Sequence, residues 1–210
     1  MLNETLLIGF IVAALVVLVI PGPGVVFVIA QSVAHGYRAG LASVVGLSVG
    51  AMVHVIAATV GLSAILLTSA TAFGIIKFIG AGYLIYLGVK TLLSRPYSTD
   101  IETPAPMPLR RLFIDGVVIS IFNPKIAMFF LAFLPQFVDL SLGAVPLQIM
   151  LLGTIYAVLA LFTDGAYAVL AGGAHHWLQR TISHSPWPRR ITGNVYIGLG
   201  INTSLASQRN

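Results

Sequence analysis

The sequence predicts an all-α membrane protein of about six transmembrane helices, arranged as two inverted three-helix repeats whose first helices are broken. Of the 210 residues, 58% are apolar and only 8% are charged, whereas an average soluble domain carries about 25% charged residues. The apolar residues form six long blocks, and a proline motif interrupts the first block of each half. A chain with so few charges cannot solvate the surface of a soluble fold, which excludes the soluble, disordered and nucleic-acid-binding classes.

The first half of the chain contains three apolar blocks. A bilayer core needs about 20 apolar residues per helix. We predict helices over residues 5–34 with an interruption at 21–23, over residues 41–69, and over residues 73–93. The start of the first block carries Glu4 and no Lys or Arg, so we expect a membrane helix there rather than a secretory signal, which needs a basic beginning.

A polar stretch at residues 94–111 separates the two halves. Its prolines, Pro96, Pro104, Pro106 and Pro108, indicate an extended linker. Beyond it we predict helices over residues 112–138 with an interruption at 123–125, over residues 146–173, and over residues 191–206. The last block is short and partly polar, which is compatible with a tilted or interfacial helix. One membrane domain is therefore expected to divide into a first repeat (1–93), a linker (94–111) and a second repeat (112–210).

The two interrupted blocks occupy matching positions in the halves. Pro23 and Pro124 lie 101 residues apart, and each is followed by an apolar run. Because each half crosses the membrane an odd number of times, the second half must enter in the opposite sense. Each proline costs a helix about 3 kcal/mol or more, and lipid offers no water to the carbonyls that it frees. Inverted repeats with matched helix breaks are typical of secondary transporters, whose binding sites lie at those breaks.

Basic residues are concentrated in the loops on one side of the predicted membrane. The other side has Arg209 in the tail and Lys77 near a helix end. Because basic loops stay in the cytoplasm, we predict a cytoplasmic linker and periplasmic termini. The concentrated set has eight members: Arg38, Lys90, Arg95, Arg110, Arg111, Arg180, Arg189 and Arg190.

Short motifs follow one another in a specific order along residues 5–138. They include Pro21-Gly22-Pro23, the segments at 35–41 and 80–84, Asn123-Pro124-Lys125 and Pro135-Gln136-Phe137. Together they resemble the LysE/RhtB family of bacterial amino-acid exporters; the rest of the chain matches by hydropathy only. The resemblance implies a multi-pass efflux carrier of the bacterial inner membrane that exports amino acids and is driven by the proton gradient.

Two charged residues are predicted to lie deep in the membrane. Lys125 falls near the middle of the fourth block, and Asp164 about two-thirds along the fifth. Charges at such depth cost about 2.5 kcal/mol or more and usually mark function or pair internally. We predict that Lys125 anchors a substrate carboxylate and that Asp164 binds the coupling proton. The alternative for both is a structural ion pair with each other.

The helix breaks and one histidine complete the candidate site. His54, near the middle of the second block, is a second candidate for proton coupling because an imidazole titrates near neutral pH. A hydrogen-bonded structural histidine is the alternative. We predict that the two breaks face each other and bind the substrate through two sets of residues: Pro21, Gly22, Pro23 and Gly24, and Asn123, Pro124 and Lys125.

The predicted function is export of a small amino acid or derivative by proton antiport. A heavy-metal exporter is an alternative, but the chain has no cysteine, and soft metal ions prefer thiolate, imidazole or several carboxylates. A membrane-embedded enzyme is another, but the sequence contains no HExxH motif and no evident nucleophile–base pair. We therefore expect no catalytic residue, metal site or cofactor. The expected partners are a small-molecule substrate and the lipid bilayer, without nucleic acid, and a homo-oligomer is compatible with the sequence.

Overall fold

A computed structural model describes residues 3–68 and 107–173, together with isolated helical positions between 71 and 89. Every regular element in these residues is helical, which confirms the all-α class. Two segments, Tyr37–Ile65 and Val145–Gly173, are each 29 residues long and apolar enough to cross a membrane, and two bent helix pairs would add two spans. The predicted linker up to residue 106 and the sixth block lie outside the described residues, and the third block is covered only at the isolated positions.

The first block forms a broken span of two helices. Helix α1 covers Glu4–Val19, and the side chain of Asn3 caps it by accepting hydrogen bonds from the Thr5 and Leu6 amides. Helix α2 covers Pro23–His35 and begins with a proline, whose fixed φ suits a first helical position. The two axes differ by 51°. The prolines of the motif therefore break the helix where the sequence predicted.

The second span is nearly continuous. Helix α3 covers Tyr37–Ala57, passes into a π-helical segment at Ala58–Leu62, and continues as α4 at Ser63–Thr68. It begins four residues earlier than the predicted start at 41. Gly36, with a φ of 83°, separates α2 from α3, and this left-handed conformation suits glycine because it has no Cβ.

The fourth and fifth blocks form a second broken span and one long helix. Helix α5 covers Leu109–Ile121 and α6 covers Pro124–Met128; a π-helical segment at Phe129–Phe133 and a 3₁₀ turn at Leu134–Phe137 continue α6. The axes before and after the break differ by 41°. A second 3₁₀ turn at Leu140–Leu142 leads to α7, Val145–Gly173. The second break therefore also lies where the sequence predicted.

The two broken spans run in opposite directions. The rings of Phe10, near the start of the first span, and Phe137, at the end of the second, have centroids 5.4 Å apart. At the breaks, Gly22 lies directly against Lys125, because a Cβ built on Gly22 would be 2.8 Å from Lys125 Cδ. The breaks thus face each other, and the first helices have the antiparallel relation that inverted repeats require.

Helices α3 and α5 pack closely and run parallel. A Cβ built on Gly46 would lie 2.1 Å from the Phe113 carbonyl oxygen, and one on Gly50 would lie 2.6 Å from that of Val117. On α5, a Cβ on Gly116 would lie 2.5 Å from the Ser43 carbonyl oxygen. These positions exclude any side chain, as expected for membrane helices packed through small residues.

The described arginines lie at one end of the bundle. Because α3 and α5 are parallel, their first turns, with Arg38 and with Arg110 and Arg111, share that end. The end of α7 joins them, since Gly172 packs against the backbone of Tyr37. We call it the basic end. Its charge agrees with the asymmetry of the sequence, and its cytoplasmic orientation stays a prediction.

An aromatic cluster forms the core beyond the breaks, away from the basic end. The Phe129 and Tyr156 rings are stacked with centroids 4.4 Å apart, and Phe130 meets Tyr156 edge-on at 5.4 Å. Phe10, Phe133 and Phe137 extend the cluster toward the far end. This packing encloses one side of the space between the two breaks.

Candidate functional site

A cavity lies between the two helix breaks. Gly22 and Gly24 line it from the first break, and aliphatic side chains line much of the rest. Its polar side chains come from three different elements: Ser48 on α3, Asn123 and Lys125 at the second break, and Tyr156 and Asp164 on α7. We call this space the break cavity.

Side chains donate to the two carbonyls whose helical donors the prolines remove. In a helix, the amide of residue 23 would donate to the carbonyl of Val19, but Pro23 has no N–H. The Tyr167 hydroxyl donates to the Val19 carbonyl instead, at 2.6 Å. At the second break the corresponding carbonyl belongs to Ser120; it accepts from the Asn123 amide at 3.1 Å, and His54 Nε2 lies 3.0 Å from it. A carbonyl can only accept, so Nε2 carries the proton there.

Each break receives its side-chain hydrogen-bond donor from the other half of the chain. Helix α7, from the second half, supplies Tyr167 to the first break, and α3, from the first half, supplies His54 to the second. A carbonyl without a donor is costly where lipid rather than water surrounds it. These two contacts therefore hold both breaks in place and tie the halves together.

Lys125 is buried and bound to the end of α1. Its ammonium donates to the Ile20 carbonyl at 2.6 Å, and only 5% of the residue is exposed. Ile20 is the C-cap of α1, where free carbonyls and the helix dipole favour a cation. Asn123 fixes the start of α6 by accepting a hydrogen bond from the Lys125 amide at 3.0 Å. The second break thereby positions the ammonium group that donates to the Ile20 carbonyl at the first break.

The direct ion pair between Lys125 and Asp164, the alternative considered from the sequence, is not formed at contact distance. Within residues 3–68 and 107–173, no carboxylate oxygen lies within 4.0 Å of Lys125 Nζ. The physical reason is that the break exposes the Ile20 carbonyl directly beside the ammonium. Both charges nevertheless line the break cavity, so a ligand inside it meets a cation and a carboxylate.

Asp164 projects into the break cavity from one face of α7. Tyr156, Ala160 and Asp164 follow at four-residue spacing, and all three line the cavity, as expected for one face of a helix. The carboxylate of Asp164 accepts no hydrogen bond from any residue that the structure describes. It is thus available to a ligand or a proton.

The structure brings together five of the nine predicted site residues. Gly22, Gly24, Asn123, Lys125 and Asp164 line the break cavity. The remaining residues do not. Pro21, Pro23 and Pro124 shape the breaks, and His54 binds the Ser120 carbonyl beside the ring of Phe130.

Sequence reasoning missed Tyr167 and the structural role of Tyr156. The four-residue spacing of Tyr156, Ala160 and Asp164 was a usable signal for Tyr156, since it places that tyrosine on the helix face that carries Asp164. No sequence signal could identify Tyr167, because its partner is a backbone carbonyl 148 residues away.

Antiparallel broken spans that meet at a buried, charged cavity define the class of this protein as a membrane transporter. A profile described as "LysE type translocator" matches residues 15–207. The chain therefore belongs to the LysE type translocator family, which confirms the resemblance seen in the sequence.

Relatives of similar length support this membership. The chain is 30% identical to the uncharacterized membrane protein YrhP of Bacillus subtilis, over 95% of this chain and 99% of that one. It is 27% identical to the leucine efflux protein of Salmonella typhimurium, over 90% of each chain. It is 33% identical to the homoserine/homoserine lactone efflux protein of the same organism, over 76% of this chain and 77% of that one. No solved structure matches the chain significantly.

Proposed function

We propose that the protein exports a small amino acid or derivative across the bacterial inner membrane by proton antiport, with its termini in the periplasm. The observation that carries this proposal is the pair of charges in the break cavity: the buried Lys125 ammonium and the Asp164 carboxylate, which line it together without a direct ion pair. A zwitterion carries the complementary charges on adjacent groups.

Lys125 is proposed to bind the carboxylate of the substrate. In the structure its ammonium donates to the Ile20 carbonyl. A substrate carboxylate is a stronger acceptor because it is charged, so it replaces the carbonyl or shares the ammonium with it. Asn123 and Ser48, which also line the cavity, offer neutral hydrogen-bonding groups to the same ligand.

Asp164 is proposed to couple export to proton entry. As a carboxylate it attracts the substrate ammonium, and once protonated it no longer does. When the cavity opens to the more acidic periplasm, protonation of Asp164 releases the amine; when it opens to the cytoplasm, loss of the proton restores binding. Competition of proton and substrate for one group gives antiport. The proton role of His54 stays a prediction, because that side chain is not among the residues that line the cavity.

The relatives support amino acids as the substrate class. Two of them, from Salmonella typhimurium, are named for the efflux of leucine and of homoserine or its lactone. The heavy-metal alternative gains no support, since no group of three or more metal-ligating side chains occurs within the described residues. Membership of a translocator family favours transport over a membrane-embedded enzyme.

Transport by purified protein in liposomes tests the proposal. Vesicles loaded with a radiolabelled amino acid should release it faster when the outside is acidified, and more slowly without the protein. Lys125→Met, which keeps the length of the side chain, should lower this release at least tenfold. Arg111→Met, which removes an exposed cation at the basic end, should leave it nearly unchanged. Release of no amino acid from a broad panel by folded wild-type protein would overturn the proposal.

A further inference from the structure

We propose that Ala51 and Ala160 form the subsite for the substrate's side chain, and that their small size sets the largest side chain that the protein exports. The ligand class is α-amino acids with an uncharged aliphatic side chain. This inference rests on the proposed function and adds the identity of the residues that select among substrates.

The charges of the break cavity exclude a charged side chain. The described residues that line it supply one cation, Lys125, and one carboxylate, Asp164. The main-chain carboxylate and ammonium of an amino acid use both. A further charge on the side chain would have no partner in a buried site, which is unfavourable.

The remaining walls are aliphatic. Leu18, Val25, Leu47 and Ile126 line the cavity from the first span, α3 and the second break. A side chain that occupies this space loses water without losing hydrogen bonds, so it is stabilised by the hydrophobic effect at about 25 cal/mol per Å² buried.

Ala160 lies between the polar end of the cavity and a fixed aromatic wall. It is one helical turn, about 6 Å along α7, from both Asp164 and Tyr156. Tyr156 is 1% exposed and stacked on Phe129 with ring centroids 4.4 Å apart. This wall is held by the aromatic core, so the free space beside Asp164 depends on the side chain at 160 remaining small.

Ala51 limits the cavity from α3. It is one turn beyond Leu47, and only 3% of it is exposed, although it lines the cavity. Ala160 is similarly 8% exposed. Both residues line the cavity and are almost fully buried, so we expect a larger side chain at either position to extend into the cavity. The volume taken is volume that the substrate loses.

Ala51→Leu and Ala160→Leu should therefore change selectivity. A hydrophobic pocket discriminates roughly 10-fold or more per methylene when the fit is lost. We expect the ratio of leucine to alanine transport to fall at least tenfold in each variant, with alanine transport largely retained. Ala51→Val and Ala160→Val should produce the same change to a smaller degree and serve where the leucine variants do not fold.

Matched controls lie on the same helices outside the cavity. Ala57 on α3 and Ala166 on α7 are exposed, so Ala57→Leu and Ala166→Leu add the same bulk to the lipid-facing surface. Both should keep the wild-type ratio. Folded protein is measured alongside by size-exclusion chromatography in detergent.

The experiment is competitive exchange in liposomes with radiolabelled alanine, leucine, phenylalanine and lysine. Wild-type transport of alanine and leucine, with reduced ratios only in the cavity variants, is the expected result. If the wild type transports amino acids but the cavity variants keep its ratios, the subsite is elsewhere and this inference fails while the proposed function stands. Preferred transport of lysine would overturn the uncharged class. No transport of any of the four by folded wild type would overturn both proposals.

Discussion

At the scale of single residues, the central feature is the contact between Lys125 and the Ile20 carbonyl. The ammonium satisfies a carbonyl at the end of a broken helix, where the dipole favours a cation, and it also lines the break cavity. One side chain thus has a structural role and a proposed binding role. The two roles are separable because Asp164 shares only the second.

Replacing Asp164 as well as Lys125 should restore neither the folded protein nor the export that Lys125→Ala loses. Lys125→Ala leaves the Ile20 carbonyl without its charged donor, a loss of about 1.5–3 kcal/mol, and removes the carboxylate anchor. We expect less folded protein and no export. Adding Asp164→Ala should recover neither, because the two groups are not in direct contact. Recovery of both folded protein and export in the double variant, measured by size-exclusion chromatography and vesicle transport, would contradict this prediction.

The acid on α7 should matter for coupling rather than for folding. Asp164→Asn keeps the shape of the side chain and removes its titration, so substrate exchange should persist while its acceleration by an imposed pH gradient disappears. Rates of exchange in liposomes with and without the gradient measure this. Asp115→Asn is the control, since Asp115 is an exposed carboxylate 3.9 Å from Arg111; it should remain coupled. A coupled Asp164→Asn variant would assign the proton to another group.

At the scale of helices, each break depends on a residue from the other half of the chain. Pro23 and Pro124 remove the amides that would serve the carbonyls of Val19 and Ser120. Tyr167 donates to the first carbonyl, and His54 donates to the second beside the Asn123 amide. The breaks are therefore stable features of the bundle rather than weak points in two helices. The π-helical segment at Phe129–Phe133 follows the second break, and such segments often occur at functional sites.

A double-mutant cycle between Pro23 and Tyr167 tests this replacement. Tyr167→Phe should lower stability by about 0.6 kcal/mol, a typical value for a hydrogen bond between membrane helices. In the background of Pro23→Ala, residue 23 has an amide that can serve the Val19 carbonyl, so Tyr167→Phe should then cost almost nothing. The measurement is unfolding in mixed micelles. Equal effects in both backgrounds would show that Tyr167 does not substitute for the missing amide.

At the scale of the whole molecule, the antiparallel broken spans and the parallel pair α3 and α5 place the described arginines of the loops at one end. The opposite end holds the start of α1 and the turn at Leu140–Leu142. Under the positive-inside rule, an arrangement with two such different ends predicts a cytoplasmic basic end.

Single-cysteine labelling can measure that orientation directly, because the natural chain has no cysteine. Ser98→Cys, in the linker, should be protected from an impermeant thiol reagent added to intact cells and should react after the membrane is opened. Ser141→Cys, exposed at the opposite end, should react in intact cells. The reverse pattern would place the basic end outside and reverse the proposed direction of export.

The sequence by itself determined the class and the positions of the breaks. Apolar blocks longer than a bilayer core leave few alternatives to membrane helices, and Pro23 and Pro124 cannot donate the hydrogen bonds that a straight helix needs. Lys125 and Asp164 could be selected for the same reason, since a charge at that depth requires a partner. These inferences depend on local chemistry, which the sequence contains.

Only the tertiary structure decided which groups meet. The sequence favoured no single partner for Lys125, and folding brought the Ile20 carbonyl to it, 105 residues away. His54 has the residue type of a proton carrier, and the packing of α3 on α5 brings it to the Ser120 carbonyl, a contact that the sequence does not indicate. Ala51 and Ala160 carry no chemical signal at all and line the cavity only because α3 and α7 pack around the breaks. A backbone carbonyl or a methyl group looks the same at every position of a sequence, so its role depends on what the fold places beside it.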